Sequence, residues 1–171
     1  MRRVLILLVS ALLVVSLASL FMVLNILDQR YPLPTSQGLD SQLGGKWQVV
    51  AEGNLDNTSG LSKILSALAE DSQNSYFASY KGEDQILTVF VFKLHTNYTD
   101  SLLYKIREIY TTLNWSVRPL NETPGFYISS PQAQYVYAGY KEWIVVIYIN
   151  GTQVRPGEEL QVLSLALNQL D

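Results

Sequence analysis

Residues 4–27, VLILLVSALLVVSLASLFMVLNIL, form an uncharged and mainly apolar run between Arg2-Arg3 and Asp28-Gln29-Arg30. At about 1.5 Å rise per residue such a run reaches about 36 Å as a helix, enough for a hydrocarbon core of about 30 Å. The paired arginines before it meet no comparable basic cluster just after it. The expected orientation is therefore an uncleaved signal anchor with a cytoplasmic N-terminus and the rest of the chain outside. The competing reading is a cleaved secretory signal, with residues 4–15 as the apolar region and Ser16-Leu17-Ala18 as the cleavage site. Apolar character that continues through Phe21, Met22, Val23, Leu24, Ile26 and Leu27 favours the anchor. Both readings place residues 46–171 outside the cytoplasm.

Three domains of behaviour are expected: an anchor at 1–27, an extracellular stalk at 28–45 and an extracytoplasmic domain at 46–171. Pro32 and Pro34 bias the stalk toward extended backbone, and Gly44-Gly45 ends it flexibly. Beyond it the sequence predicts an α+β fold of antiparallel β-hairpins with helices packed on the sheet. Leu61, Ile64, Leu65 and Leu68 have helical spacing, as do Leu102, Leu103, Ile106, Ile109, Tyr110 and Leu113. Thr99 or Asp100 is the expected cap of the second helix. Residues 75–81 and 86–94 read as a hairpin. The second of its strands is apolar on both faces and so belongs in the middle of a covered sheet. Residues 136–141 and 143–149 repeat the hairpin, and a helix from about Pro156 to Leu170 comes next, so two β-β-α units are expected. A short strand, 125–130, separates them. With helices expected on one face, the other face would need a partner or the intervening strand and loops.

Five of the nine asparagines lie in Asn-x-Ser/Thr sequons: Asn57, Asn97, Asn114, Asn121 and Asn150. Each falls where a loop or element end is expected, so all five are candidate N-glycosylation sites in an exported chain. The competing explanation is that Asn, Ser and Thr share turns because all three favour them. Cysteine is absent, which excludes a disulfide scaffold and a thioether-linked lipid anchor. Charged residues make up only 16% of the chain, so its surface is solvated by hydroxyls, amides and sugars more than by charge. In composition the chain resembles envelope proteins of archaea, or of other organisms that N-glycosylate outside the cell.

The search for chemistry is mainly negative. The net charge of -3 and 12 scattered basic residues give no nucleic-acid footprint. One histidine, His95, and no cysteine leave no His/Cys metal set, and no cofactor motif occurs. The acidic pairs Glu70-Asp71, Glu83-Asp84 and Glu158-Glu159 sit at helix ends or turns, where solvated carboxylates are the default. No catalytic constellation is recognisable, and no enzyme is expected. Aromatic residues are the positive signal, for rigid rings with polar tips recognise sugars and protein partners at low entropic cost. Tyr137, Tyr140 and Trp143 are the candidate contact surface. Two functions are compatible with these features. The first is a membrane-anchored, non-catalytic accessory subunit of an envelope or membrane complex. The alternative is an extracellular solute- or glycan-binding module using that aromatic surface.

Overall fold

A computed structural model describes residues 31–95, 98–129, 133–151 and 157–170. The anchor segment 4–27 and the sequon residue Asn97 lie outside the described residues. Among those described, no helix is long and apolar enough to cross a membrane.

The elements run α1 (Ser36–Leu43), β1 (Gln48–Asn54), α2 (Lys63–Glu70), β2 (Ser72–Lys81), β3 (Gln85–Leu94) and α3 (Thr99–Thr112). Next come β4 (Val117–Pro119), β5 (Gly125–Ser129), β6 (Ala133–Tyr140), β7 (Trp143–Gly151) and α4 (Glu158–Leu167). The strands make one seven-stranded antiparallel sheet in the order β1-β2-β3-β7-β6-β5-β4. Both expected hairpins are present, and their second strands pair at the centre, with Phe90 opposite Val146 and Val89 opposite Ile147.

Because side chains alternate along a strand, β3 and β7 send two distinct apolar sets to opposite faces. On one face Phe90, Phe92, Phe126, Tyr137, Ile144 and Val146 pack with Leu68 of α2 and with Leu103 and Ile106 of α3. We call this the aromatic face. On the other, Leu87, Val89, Val91, Val136, Val145, Ile147 and Ile149 are buried, as are Val162, Leu163 and Ala166 of α4 and Leu39 of α1. There α4 packs on β6 and β7 and against α1. This is the aliphatic face.

The expectation of helices on one face is thus corrected. The sheet is covered on both, and the second cover comes from the chain itself. Part of it comes from the segment expected to be a stalk: the compact unit begins at Pro32. Thr35 caps α1 by accepting from the Gly38 N–H at 3.1 Å, and the Tyr80 hydroxyl donates to the Pro34 carbonyl. Trp47, buried, donates its indole N–H to Gly44. Pro32–Gly45 is therefore structure, not spacer.

The similarity of the two halves stops at the hairpins. A two-fold axis normal to the sheet that exchanged β3 with β7 would put the helices after them on the same face, yet α3 and α4 lie on opposite faces. Two glycines set close approaches. A Cβ on Gly125, whose φ is +151°, would stand 2.2 Å from the Tyr137 carbonyl oxygen. A Cβ on Gly139 would meet Leu103 Cδ1 at 2.9 Å, so the first turn of α3 sits directly on β6. That contact also explains the cap of α3. Thr99 is helical and its hydroxyl donates to the Lys141 carbonyl across the interface; the N-cap is Tyr98, without a side-chain cap bond.

Candidate functional site

The nominated aromatic trio does not form one surface. Tyr137 and Tyr140 are three residues apart on β6, an odd spacing that sends them to opposite faces. Tyr137 is only 2% exposed; its ring stacks on Phe126 at 5.1 Å, and its hydroxyl shares a 2.7 Å hydrogen bond with that of Tyr110. Burial, with the Tyr110 hydroxyl beside it, pushes its pKa far above the ordinary tyrosine value. It is a core residue. Tyr140 and Trp143 do sit together, opposite each other at the hairpin end and both half-buried. Each ring has a lysine over it, Lys141 Nζ at 4.8 Å and Lys93 Nζ at 5.5 Å, and Lys93 also reaches Glu142 at 3.8 Å.

A different aromatic group is open to solvent. Helix α3 ends in a Schellman motif: Asn114 N–H donates to Thr111 and Trp115 N–H to Tyr110. Asn114 takes the left-handed position, φ 60°, which asparagine tolerates better than most residues. The motif brings Trp115 edge-on to Tyr110 at 5.8 Å and to Tyr135 at 6.4 Å. Tyr135 in turn stacks on Tyr148 at 4.7 Å. Desolvation and the neighbouring Tyr148 push the Tyr135 pKa up to about 12. Trp115 is 46% exposed, and Ile109 and Leu113 on the flank of α3 are 47% and 61% exposed. A ridge of exposed apolar groups thus runs off the end of α3 beside a row of half-buried rings. Helical spacing alone predicts Ile109 and Leu113 on the buried stripe; they sit at its margin, rotated away from Leu103 and Ile106.

On the aliphatic face a cleft of about 490 Å³ lies between α4 and the β4–β5 loop. Leu160, Leu163 and Leu167 form its apolar wall, Tyr127 its half-buried side, and Asn121 and Thr123 its polar rim.

Four of the five sequon asparagines are described, and all four are exposed. Asn57 Oδ1 accepts from the Ser59 N–H at 2.8 Å, an Asx turn. Asn121 is in the β4–β5 loop. Asn150 is the last residue but one of β7, an element end, and pairs with both Ile86 and Ala133.

His95 is exposed at a bend after β3, and Glu70, Asp71, Glu83 and Asp84 are exposed. Tyr98 donates to the Asp71 carboxylate, which raises the phenol pKa. Glu158 and Glu159 depart from the expected solvated state, at 7% and 4% exposure. Glu158 accepts from Gln85 Nε2 at 2.9 Å, and Glu159 from the Gly157 N–H at 3.0 Å. Burial raises the Glu159 pKa, partly offset by its backbone hydrogen bonds. Among the described residues, no group of three or more His, Cys, Asp or Glu side chains is placed to hold a metal ion.

The fold is a small α+β domain, an antiparallel sheet with four helices. A comparable arrangement occurs in the crystal structure of the extracellular domain of PknH from Mycobacterium tuberculosis, with a TM-score of 0.53 over 81% of this chain and 93% of that one, at 9% identity. A GTP binding regulator from Thermotoga maritima aligns over the same shares of the two chains at 15% identity, with a TM-score of 0.38. No protein-family model matches the chain, and no curated protein matches its sequence.

Proposed function

We propose that this chain is a membrane-anchored extracytoplasmic protein whose folded domain acts without catalysis, as an accessory subunit in an envelope or membrane complex. The exposed apolar ridge of Ile109, Leu113 and Trp115 carries the reading. Single exposed apolar residues need no explanation, but these three lie together at one helix end, as partner-facing residues do. The likeness in fold to an extracellular domain supports the location, as do the apolar run at 4–27 and the exposure of four sequon asparagines. The partner is no longer required to cover an open sheet face, because α1 and α4 already do so.

The test is co-purification of full-length protein from native membranes in mild detergent. A stoichiometric membrane or envelope protein should accompany the wild type and be lost from Leu113→Asp and Trp115→Ser variants that still fold. Recovery of the wild type alone, with no companion after mild cross-linking, would sink this reading. The second reading, a solute-binding module, draws on the amphipathic cleft beside α4. Its size falls within the range of small-molecule sites, about 300–1,000 Å³. It predicts that a neutral oligosaccharide raises the melting temperature and that Tyr127→Ala removes the effect.

A further inference from the structure

Of the four described sequon asparagines, Asn150 has no explanation in turn chemistry. Asn57 closes an Asx turn, Asn114 fills a left-handed cap position, and Asn121 is in a loop. Asn150, the last residue but one of a central strand, is paired on both sides, a ladder position that asparagine disfavours. Its side chain lies on the aromatic face, since β7 sends Ile144, Val146, Tyr148 and Asn150 the same way. Two residues before it, about 7 Å along the strand, is the half-buried ring of Tyr148. That ring is held in place by its stack on Tyr135, itself braced by the edge of Trp115. The cross-strand neighbour on the same face, Ile86, is 52% exposed. A central strand thus ends in an apolar and aromatic patch, with an exposed glycan-acceptor amide at its edge.

We propose that Asn150 carries an N-linked glycan whose first sugar packs on Tyr148 and shields Ile86, so that the glycan completes the cover of this end of the sheet. The proposal rests on the extracytoplasmic reading above. The reaction joins Asn150 Nδ2 to C1 of the first sugar of a lipid-pyrophosphate-linked oligosaccharide. The C1–phosphate bond breaks, the lipid pyrophosphate leaves, and the amide loses one proton. The ring-hydrogen face of a pyranose is apolar, and it matches the electron-rich face of a tyrosine fixed by its neighbours. A ring fixed in advance adds little ordering cost to the contact.

The test uses the full chain produced in a membrane host that N-glycosylates exported proteins. Glycopeptide mass spectrometry reads occupancy at each sequon. Melting temperatures are then compared for wild type, Asn150→Gln, Tyr148→Ser and the double variant. The expected result is an occupied Asn150 whose removal lowers the melting temperature by about 3 °C with Tyr148 present, and by under about 1 °C without it. Upfield ring-current shifts of the first sugar's protons in the wild-type spectrum report the same contact without any tyrosine variant. Equal losses in both backgrounds with unshifted sugar protons would overturn the platform. So would an unmodified Asn150 beside a modified Asn57 or Asn121, with the location left standing. Absence of sugar from every sequon would remove the extracytoplasmic reading and this proposal with it.

Discussion

The two faces of the sheet are built from different side chains and finished differently. The aliphatic face buries Val89, Val91, Val145, Ile147 and Ile149 with no solvent exposure, beneath α1 and α4. The aromatic face packs Phe90, Phe92, Phe126 and Tyr137 under α2 and α3, and its margin stays open at Ile86, Ile109, Leu113 and Trp115. β-Branched residues fit a pleated surface closely and leave little to spare. Rings reach further and allow a rim that is both ordered and solvent-facing. The contrast is one of finish: apart from the cleft beside Leu160, the aliphatic face is closed over its buried centre, while the aromatic face leaves a cluster of exposed apolar groups at its margin, where the proposed docking would take place.

The hardest strain on that division is Ile147→Ala. Ile147 has no exposure, and truncation at such a site costs about 2–5 kcal/mol because the cavity relaxes only in part. In a domain of this size that is a fall of roughly 10 °C in melting temperature, read by calorimetry. A loss under about 1 kcal/mol would mean that the aliphatic face is loosely packed and that the contrast is wrong.

The hairpins and the central place of β3 were legible because β3 alternates two apolar sets, a pattern only a doubly covered strand needs; that β7 pairs with it came from the structure. What covers the second face was not legible. In α1, Ser36–Leu43, only Leu39 and Leu43 are large and apolar, so periodicity is too thin to register beside Pro32 and Pro34. The usable signals were Thr35 before the helix and Gly44 after it, a cap at each end. The solvent-facing rings were missed for another reason. Tyr137, Tyr140 and Trp143 are neighbours in sequence, but strand period separates the first from the others. Trp115, outside both hairpins, is placed by a helix-end motif spelled Leu113-Asn114-Trp115. Buried Glu158 accepts a hydrogen bond from Gln85, 73 residues earlier, and no local pattern encodes that contact.

A smaller effect separates the centre of the aromatic face from its rim. Tyr137→Phe keeps the ring stacked on Phe126 and removes the hydroxyl bonded to Tyr110. The expected cost is about 1 kcal/mol in denaturant unfolding, at unchanged m-value. Leu113→Ser, at a site 61% exposed, should cost under about 0.5 kcal/mol while lowering recovery of the membrane partner. If Leu113→Ser destabilised the domain as much as Tyr137→Phe, the rim would belong to the core and the docking reading would lose its basis.

The subtlest probe lies where the aliphatic face meets charge. Glu159, at the start of α4, is buried, and desolvation raises its pKa above the ordinary value, with Glu158 adding to the rise and backbone N–H donors opposing it. The folded carboxyl therefore holds its proton to a higher pH than the unfolded one. Between the ordinary value and the raised one, the folded state binds more protons, so this group's contribution to stability falls as pH rises and levels off above the raised value. Glu159→Gln removes the ionisation yet keeps an oxygen to accept the Gly157 N–H. Melting temperature followed against pH should then lose its decline across that window and stand higher on the alkaline side. An unchanged profile would show that the N–H donors offset the burial fully, and that this corner of the aliphatic face tolerates charge as readily as the rim opposite.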